Sequence, residues 1–268
     1  MEHGPARSLT AGLNYGWRLL ATGACFATFG VGGIVLTVLV FPPLWLFPAR
    51  QRLKSTRWVI HRVFGRFMSM MQGLGIMRLE VHGAHTLRAC RDVLVLANHP
   101  TLVDVVALVA LMPQASCVVK QALWKNLFMG GPVRAAGYIP NATPEALLEA
   151  CAKDLAAGNP LLIFPEGTRS EPGQPLRFLR GASYLALKSG KPILPVLIDC
   201  QPSTLTKNKP WYQIPARPFH LRIHVQQPIS PADWQVDQAA PAIAARHLTA
   251  QLEQHFSQSL KHHGFAQA

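Results

Sequence analysis

The chain has 268 residues, enough for one domain with a substantial core plus an accessory segment. With 49% hydrophobic and only 15% charged residues it is greasy for a soluble protein, and its net charge of +13 points to an anionic partner: nucleic acid, anionic lipid or a phosphate-bearing substrate. Its five cysteines are scattered, odd in number and form no C-x-x-C pair, which argues against a disulfide framework or a zinc site.

No charged residue occurs between Arg18 and Arg50. A bilayer-spanning helix needs about 20 apolar residues, and this run exceeds that. It is also too long for a secretory signal, no small-x-small cleavage site follows it, and buried core helices seldom reach this length. Two shapes are open: a single span from about Leu19 to Phe41, or a re-entrant hairpin broken at Gly30–Gly33 and Pro42-Pro43. Arg50, Arg52, Lys54 and Arg57 follow the run, against Arg7 and Arg18 before it. That bias places the later chain on the cytoplasmic side of the inner membrane. Residues 58–77 repeat Ile60, Val63, Phe64, Phe67 and Met71 at helical spacing, with Arg62 and Arg66 on another face. Such a helix either lies at the membrane surface beside anionic headgroups or packs on the following domain.

From residue 77 the pattern alternates strand and helix. MRLEVH (77–82) reads as a half-buried strand and DVLVLA (92–97) as one buried on both faces. DVVALVALM (104–112) reads as a buried helix, and SCVVK (116–120) as a strand. TPEALLEACAKDLAAG (143–158) is a helix with Thr143 as cap, Pro144 in its first position and Gly158 past its end. PLLIFP (160–165) is a strand, RFLRGASYLALKSG (177–190) a helix, and KPILPVLI (191–198) and FHLRIHV (219–225) strands. The tail from about residue 239 to 262 reads as helical. This order predicts an α/β fold with a largely parallel central sheet flanked by helices. Residues 1–75 form an N-terminal membrane-anchoring helical module and 76–268 a catalytic domain.

Two stretches carry chemistry. In VLVLANHPTLVD (93–104) an apolar strand ends at Asn98, His99 lies in the turn, and Asp104 opens the helix. The turn can fold the imidazole over the carboxylate, which then fixes its tautomer and leaves the histidine free to take a proton from a bound hydroxyl. The plain alternative is a capping histidine beside a helix-start aspartate. No serine or cysteine is marked as a nucleophile, so the hydroxyl belongs to a substrate. In LLIFPEGTRS (161–170) a second strand runs into Glu166, Gly167, Thr168 and Arg169. Glycine admits close approach of a ligand, and guanidinium grips phosphate through two bonds; the alternative is a polar turn with a surface ion pair.

Together NHPTLVD (98–104) and FPEGTRS (164–170) resemble the paired motifs of the lysophospholipid acyltransferase family, whose best-known members are the 1-acylglycerol-3-phosphate acyltransferases. LRGA (179–182), KPILPVLI and Lys120 with LWKNLFMG (123–130) resemble its other blocks. The resemblance implies transfer of a fatty acyl group from acyl-CoA or acyl carrier protein to the hydroxyl of a lysolipid in the membrane. His99 is implied as base, Asp104 as its partner, and Gly167, Thr168 and Arg169 as the phosphate site shaped by Glu166. Lys120 is a candidate oxyanion donor, beside backbone amides near the dyad. No cofactor, metal or nucleic acid is implied. One block departs from the family: where members carry an arginine, this chain reads GYIPNATPE (137–145), with Arg134 upstream as a substitute. A different acceptor, such as an aminolipid, therefore stays open. So do a non-catalytic, membrane-anchored binder of anionic lipid and a thioesterase, though hydrolysis needs no acceptor site.

Overall fold

The computed structural model describes residues 6–234, 236 and 240–265. Seven strands form one sheet: β1 (Met77–His82), β2 (Leu94–Ala97), β3 (Ser116–Lys120), β4 (Ile139–Asn141), β5 (Leu161–Ile163), β6 (Ile193–Gln201) and β7 (Phe219–Val225). Their order is β1-β7-β6-β2-β5-β3-β4. Every neighbouring pair is parallel except β6 with β7. Parallel strands need crossovers, and these place helices on both faces. All four residues of β2 are accordingly buried, Val95 and Ala97 in one core and Leu94 and Leu96 in the other.

The eight α-helices assigned among the described residues are α1 (Ala6–Val35), α2 (Ala49–Gly73), α3 (Ala84–Ala89), α4 (Asp104–Leu111), α5 (Gly130–Ala135), α6 (Pro144–Ala156), α7 (Gly181–Ser189) and α8 (Pro241–His262). On one face of the sheet, Ala21 and Cys25 of α1 and Ile60 and Phe64 of α2 join the core built around α4. On the other face, Leu155 of α6, Leu185 of α7 and Leu252 and Phe256 of α8 pack together.

The N-terminal apolar run is bent. A π-helical turn (Leu36–Val40) and a 3-10 turn (Pro42–Leu46) follow α1, and α2 then begins. The break falls at Pro42-Pro43, where the ring removes a helical donor. Gly30–Gly33 stay helical. Their part is close packing: a β-carbon on Gly33 would overlap the Phe128 carbonyl, and one on Gly131 would overlap the Thr37 hydroxyl. The stretch Gly12–Leu46 is long and apolar enough to cross a membrane, and only 22% of its most apolar window is buried in the molecule.

Two of the arginines used to read charge across this segment are structural. Arg18 is buried and donates to Asn14 Oδ1 and to the Pro215 and Ala216 carbonyls, at 2.9, 2.8 and 2.7 Å. Arg57, 2% exposed, pairs with Asp154 of α6 at 3.3 Å and donates to the Ala136 carbonyl at 3.0 Å. The helix expected over 58–77 starts earlier, at Ala49, and buries Ile60, Phe64, Met68 and Met71. The helix expected from Arg177 starts only at Gly181, because the Phe178 and Leu179 amides donate elsewhere, to Glu253 at 2.6 Å and the Pro165 carbonyl at 2.7 Å. The tail helix begins at Pro241; its expected start near 239 lies outside the described residues.

Candidate active site

Ligands of parallel sheets bind beyond the carboxyl ends of the strands. His99 follows β2, the loop 164–170 follows β5, Lys120 ends β3 and Asn141 ends β4. The topology thus gathers residues separated by up to 71 positions, His99 to Ser170, on one edge. Between them and the N-terminal helices lies a cavity of about 850 Å³. Its walls include Cys25, Phe26 and Phe29 of α1 and Phe64, Phe67 and Met71 of α2; its polar lining includes His99, Lys120, Asn141, Thr168 and Arg169.

His99 and Asp104 meet as the turn geometry requires. His99 Nδ1 lies 3.0 Å from Asp104 Oδ2, which also accepts the Thr101 amide at 2.8 Å. The imidazole stacks on Phe164, ring centres 4.2 Å apart. Its side chain is 15% exposed while that of Asp104 is fully buried. With Nδ1 engaged, Nε2 remains to meet a substrate. Burial pushes the Asp104 carboxyl up; the His99 hydrogen bond and charge and the Thr101 amide pull the other way.

The backbone of His99 is held independently of its ring. Its amide donates to Glu166 Oε1 at 2.9 Å, the Ser170 hydroxyl donates to the same oxygen at 2.9 Å, and the Ser170 amide donates to the His99 carbonyl at 2.8 Å. Burial raises the Glu166 carboxyl, partly offset by these two bonds. Asn98, buried at the strand end, clamps β6: its side chain donates to the Ile198 carbonyl and accepts the Ile198 amide, both at 2.7 Å. Glu166 therefore touches the dyad's backbone, a part assigned in the sequence to shaping the phosphate loop. Asn98 and Ser170 carried no sequence signal beyond a polar residue closing an apolar strand and a serine ending a motif.

Gly167 has φ +67°, a left-handed conformation that favours glycine, and a β-carbon there would lie 2.7 Å from Leu179 Cδ1 and push that side chain aside. Arg169 Nη1 donates to the Leu205 and Thr206 carbonyls at 2.6 and 3.0 Å; its other nitrogens stay free for a ligand. Lys120 is exposed, and its ammonium carries no hydrogen bond or ion pair among the described residues. Arg134, the substitute proposed for the missing arginine, donates Nη1 to the Trp124 carbonyl instead. Cys117 lines the cavity, but burial pushes its thiol up to about 12, so it offers no thiolate nucleophile near neutral pH.

A histidine–carboxylate pair at the carboxyl edge of a parallel α/β sheet, opening on an apolar cavity, can take a proton from a hydroxyl held there. A family model described as Acyltransferase matches residues 78–199. The 1-acyl-sn-glycerol-3-phosphate acyltransferase of Cocos nucifera is 27% identical over 223 residues, 79% of this chain and 67% of that protein. The beta form from Homo sapiens is 26% identical over 56% of each. The enzyme of Helicobacter pylori is 34% identical over 39% of this chain and 47% of its own. The chain thus spans about half to two thirds of these relatives' length. Among solved structures, the 1-acyl-sn-glycerophosphate (LPA) acyltransferase PlsC of Thermotoga maritima shares the fold, with a TM-score of 0.65 and 20% identity over 91% of this chain and 97% of that one. Over residues 78–199 the chain matches the Acyltransferase family model, and the relatives it resembles are 1-acyl-sn-glycerol-3-phosphate acyltransferases.

Proposed function

We propose that the protein transfers a fatty acyl group from acyl-CoA or acyl carrier protein to the hydroxyl of a lysophospholipid, with 1-acylglycerol-3-phosphate as the acceptor. The observation that carries this is the His99–Asp104 pair at the rim of an apolar cavity that also presents Arg169. His99 Nε2 takes the acceptor's hydroxyl proton as its oxygen attacks the thioester carbon. Asp104 holds the tautomer and stabilises the imidazolium. The tetrahedral intermediate collapses, the C–S bond breaks, and the proton passes to the leaving thiolate. Gly167, Thr168 and Arg169 bind the acceptor's phosphate, Glu166 keeps His99 in register, and Lys120 or backbone amides meet the oxyanion.

Supporting a membrane site of action, α1 and α2 wall the cavity, while Leu13, Leu20 and Val31 are exposed on α1 and Leu39 on the π-helical turn after it. We therefore propose residues 1–75 as a membrane-anchoring module that also completes the pocket, and 76–268 as the catalytic domain. Arg50, Arg52 and Lys54 still outnumber Arg7 once Arg18 and Arg57 are set aside, which favours the cytoplasmic face of the inner membrane. A second acceptor reading, a lysolipid with another headgroup such as an aminolipid, draws support from Asn141 lining the cavity and Arg134 being tied to Trp124. Labelled-acyl transfer, offering both thioester donors and a panel of lysolipids, tests the proposal. Product from lysophosphatidate supports the first acceptor, product only from another lysolipid supports the second, and no acylated lipid from any acceptor contradicts both.

A further inference from the structure

We propose a second anion site, for the headgroup of an anionic phospholipid, at the tip of the N-terminal helical hairpin. It rests on the membrane association proposed above and is separate from the His99 cavity. A cavity of about 280 Å³ lies between the 3-10 turn, the start of α2 and the end of α5, lined by Phe41, Trp45, Ala49, Arg52, Thr56 and Arg134 among others. None of these residues lines the larger cavity.

Its cations lack a counter-charge. The Arg52 guanidinium sits 4.3 Å from the centre of the Trp45 ring and makes no ion pair or hydrogen bond among the described residues. Arg134 commits one nitrogen to the Trp124 carbonyl and pairs with no carboxylate among the described residues. The sequence holds no acidic residue between Glu2 and Glu80, and Asp154, the carboxylate that reaches α2, is paired with Arg57. Ala49 opens α2, whose N-terminus has no side-chain cap and no acidic first-turn residue, which adds to the positive field. Two guanidinium groups facing one cavity suit a phosphate, Arg52 with its whole planar fork and Arg134 with the nitrogens not bonded to Trp124.

The surroundings identify the anion's carrier. Trp45, which lines the cavity, is 69% exposed, and the residues that follow it, Leu46 and Phe47, are 89% and 43% exposed. These apolar side chains follow directly on the apolar run and need an apolar phase, while Arg50, Arg52 and Lys54 begin the next helix. A headgroup phosphate with its acyl chains lying against Trp45 and Leu46 satisfies both. A free anion would leave the apolar rim in water.

The test is lipid retention by the full chain purified in detergent, read by native mass spectrometry with phosphatidylglycerol and phosphatidylcholine supplied together. The wild type should retain phosphatidylglycerol in preference. Arg52→Gln should weaken that preference about tenfold, the scale of one charge-assisted contact, with folding and acyl transfer unchanged. Arg50→Gln removes the same charge outside the cavity and should leave the preference intact. Equal losses in the two variants, or none in Arg52→Gln, would overturn the site, and so would displacement of the lipid by excess inorganic phosphate. Sedimentation of salt-washed membranes decides the underlying anchoring separately. A wild-type chain that stays in the membrane but shows no preference refutes the site alone; release by salt refutes the anchoring.

Discussion

At the scale of the residue, the account depends on His99 being gripped twice: ring by Asp104 and backbone by Glu166 and Ser170. Asp104→Asn keeps the shape but cannot stabilise an imidazolium, so kcat should fall by about 10² or more while the acceptor KM changes little. Steady-state kinetics in detergent checks it; an unchanged kcat would remove the aspartate from the mechanism. Arg169→Ala should raise the acceptor KM and leave the donor KM near its starting value. Arg169→Lys should only partly rescue, since an ammonium lacks the planar fork; a selective donor defect would move the phosphate cradle to the thioester side. The dyad was legible because its partners lie five positions apart across one turn. The Glu166 contact was not, since its partner is a backbone amide 67 positions away. Asn98 hid for the same reason, bonding to Ile198 100 positions on.

Among the elements, legibility followed periodicity. β7 alternates buried Phe219, Leu221, Ile223 and Val225 with half-exposed His220, Arg222 and His224 as its sequence pattern predicts. α6 carries its expected cap, Thr143 accepting the Ala146 amide at 3.4 Å. The short β4, with Pro140 at its centre, and α5, opening on two glycines and a proline, run against local propensity and are held by tertiary packing. The same limit hid the Arg57–Asp154 pair that ties α2 to α6: composition shows a basic flank, not which arginine is buried. Asp154→Ala leaves that cation unpaired in the interior and should cost about 3–5 kcal/mol. A denaturation midpoint measured in detergent would show it, and a change below about 1 kcal/mol would mean water reaches Arg57.

For the whole molecule, one arrangement gives the N-terminal helices two faces: they expose apolar surface outward and close the cavity inward. The protein should stay in the membrane pellet after a 1 M salt wash, because screening to a Debye length of about 3 Å releases only electrostatic attachments; release into the supernatant would make the exposed apolar face incidental. The α/β order and the apolar N-terminal run were visible in the sequence. The fold of that run back onto the sheet was not, because it depends on Gly33 and Gly131 meeting chain far away in sequence. The most direct test of the central claim is labelled-acyl transfer to lysophosphatidate by the wild type and His99→Ala at equal amounts of folded, membrane-bound protein. The account predicts product from the wild type and a loss of about 10² to 10⁴ in the variant. Turnover in His99→Ala matching the wild type would contradict it.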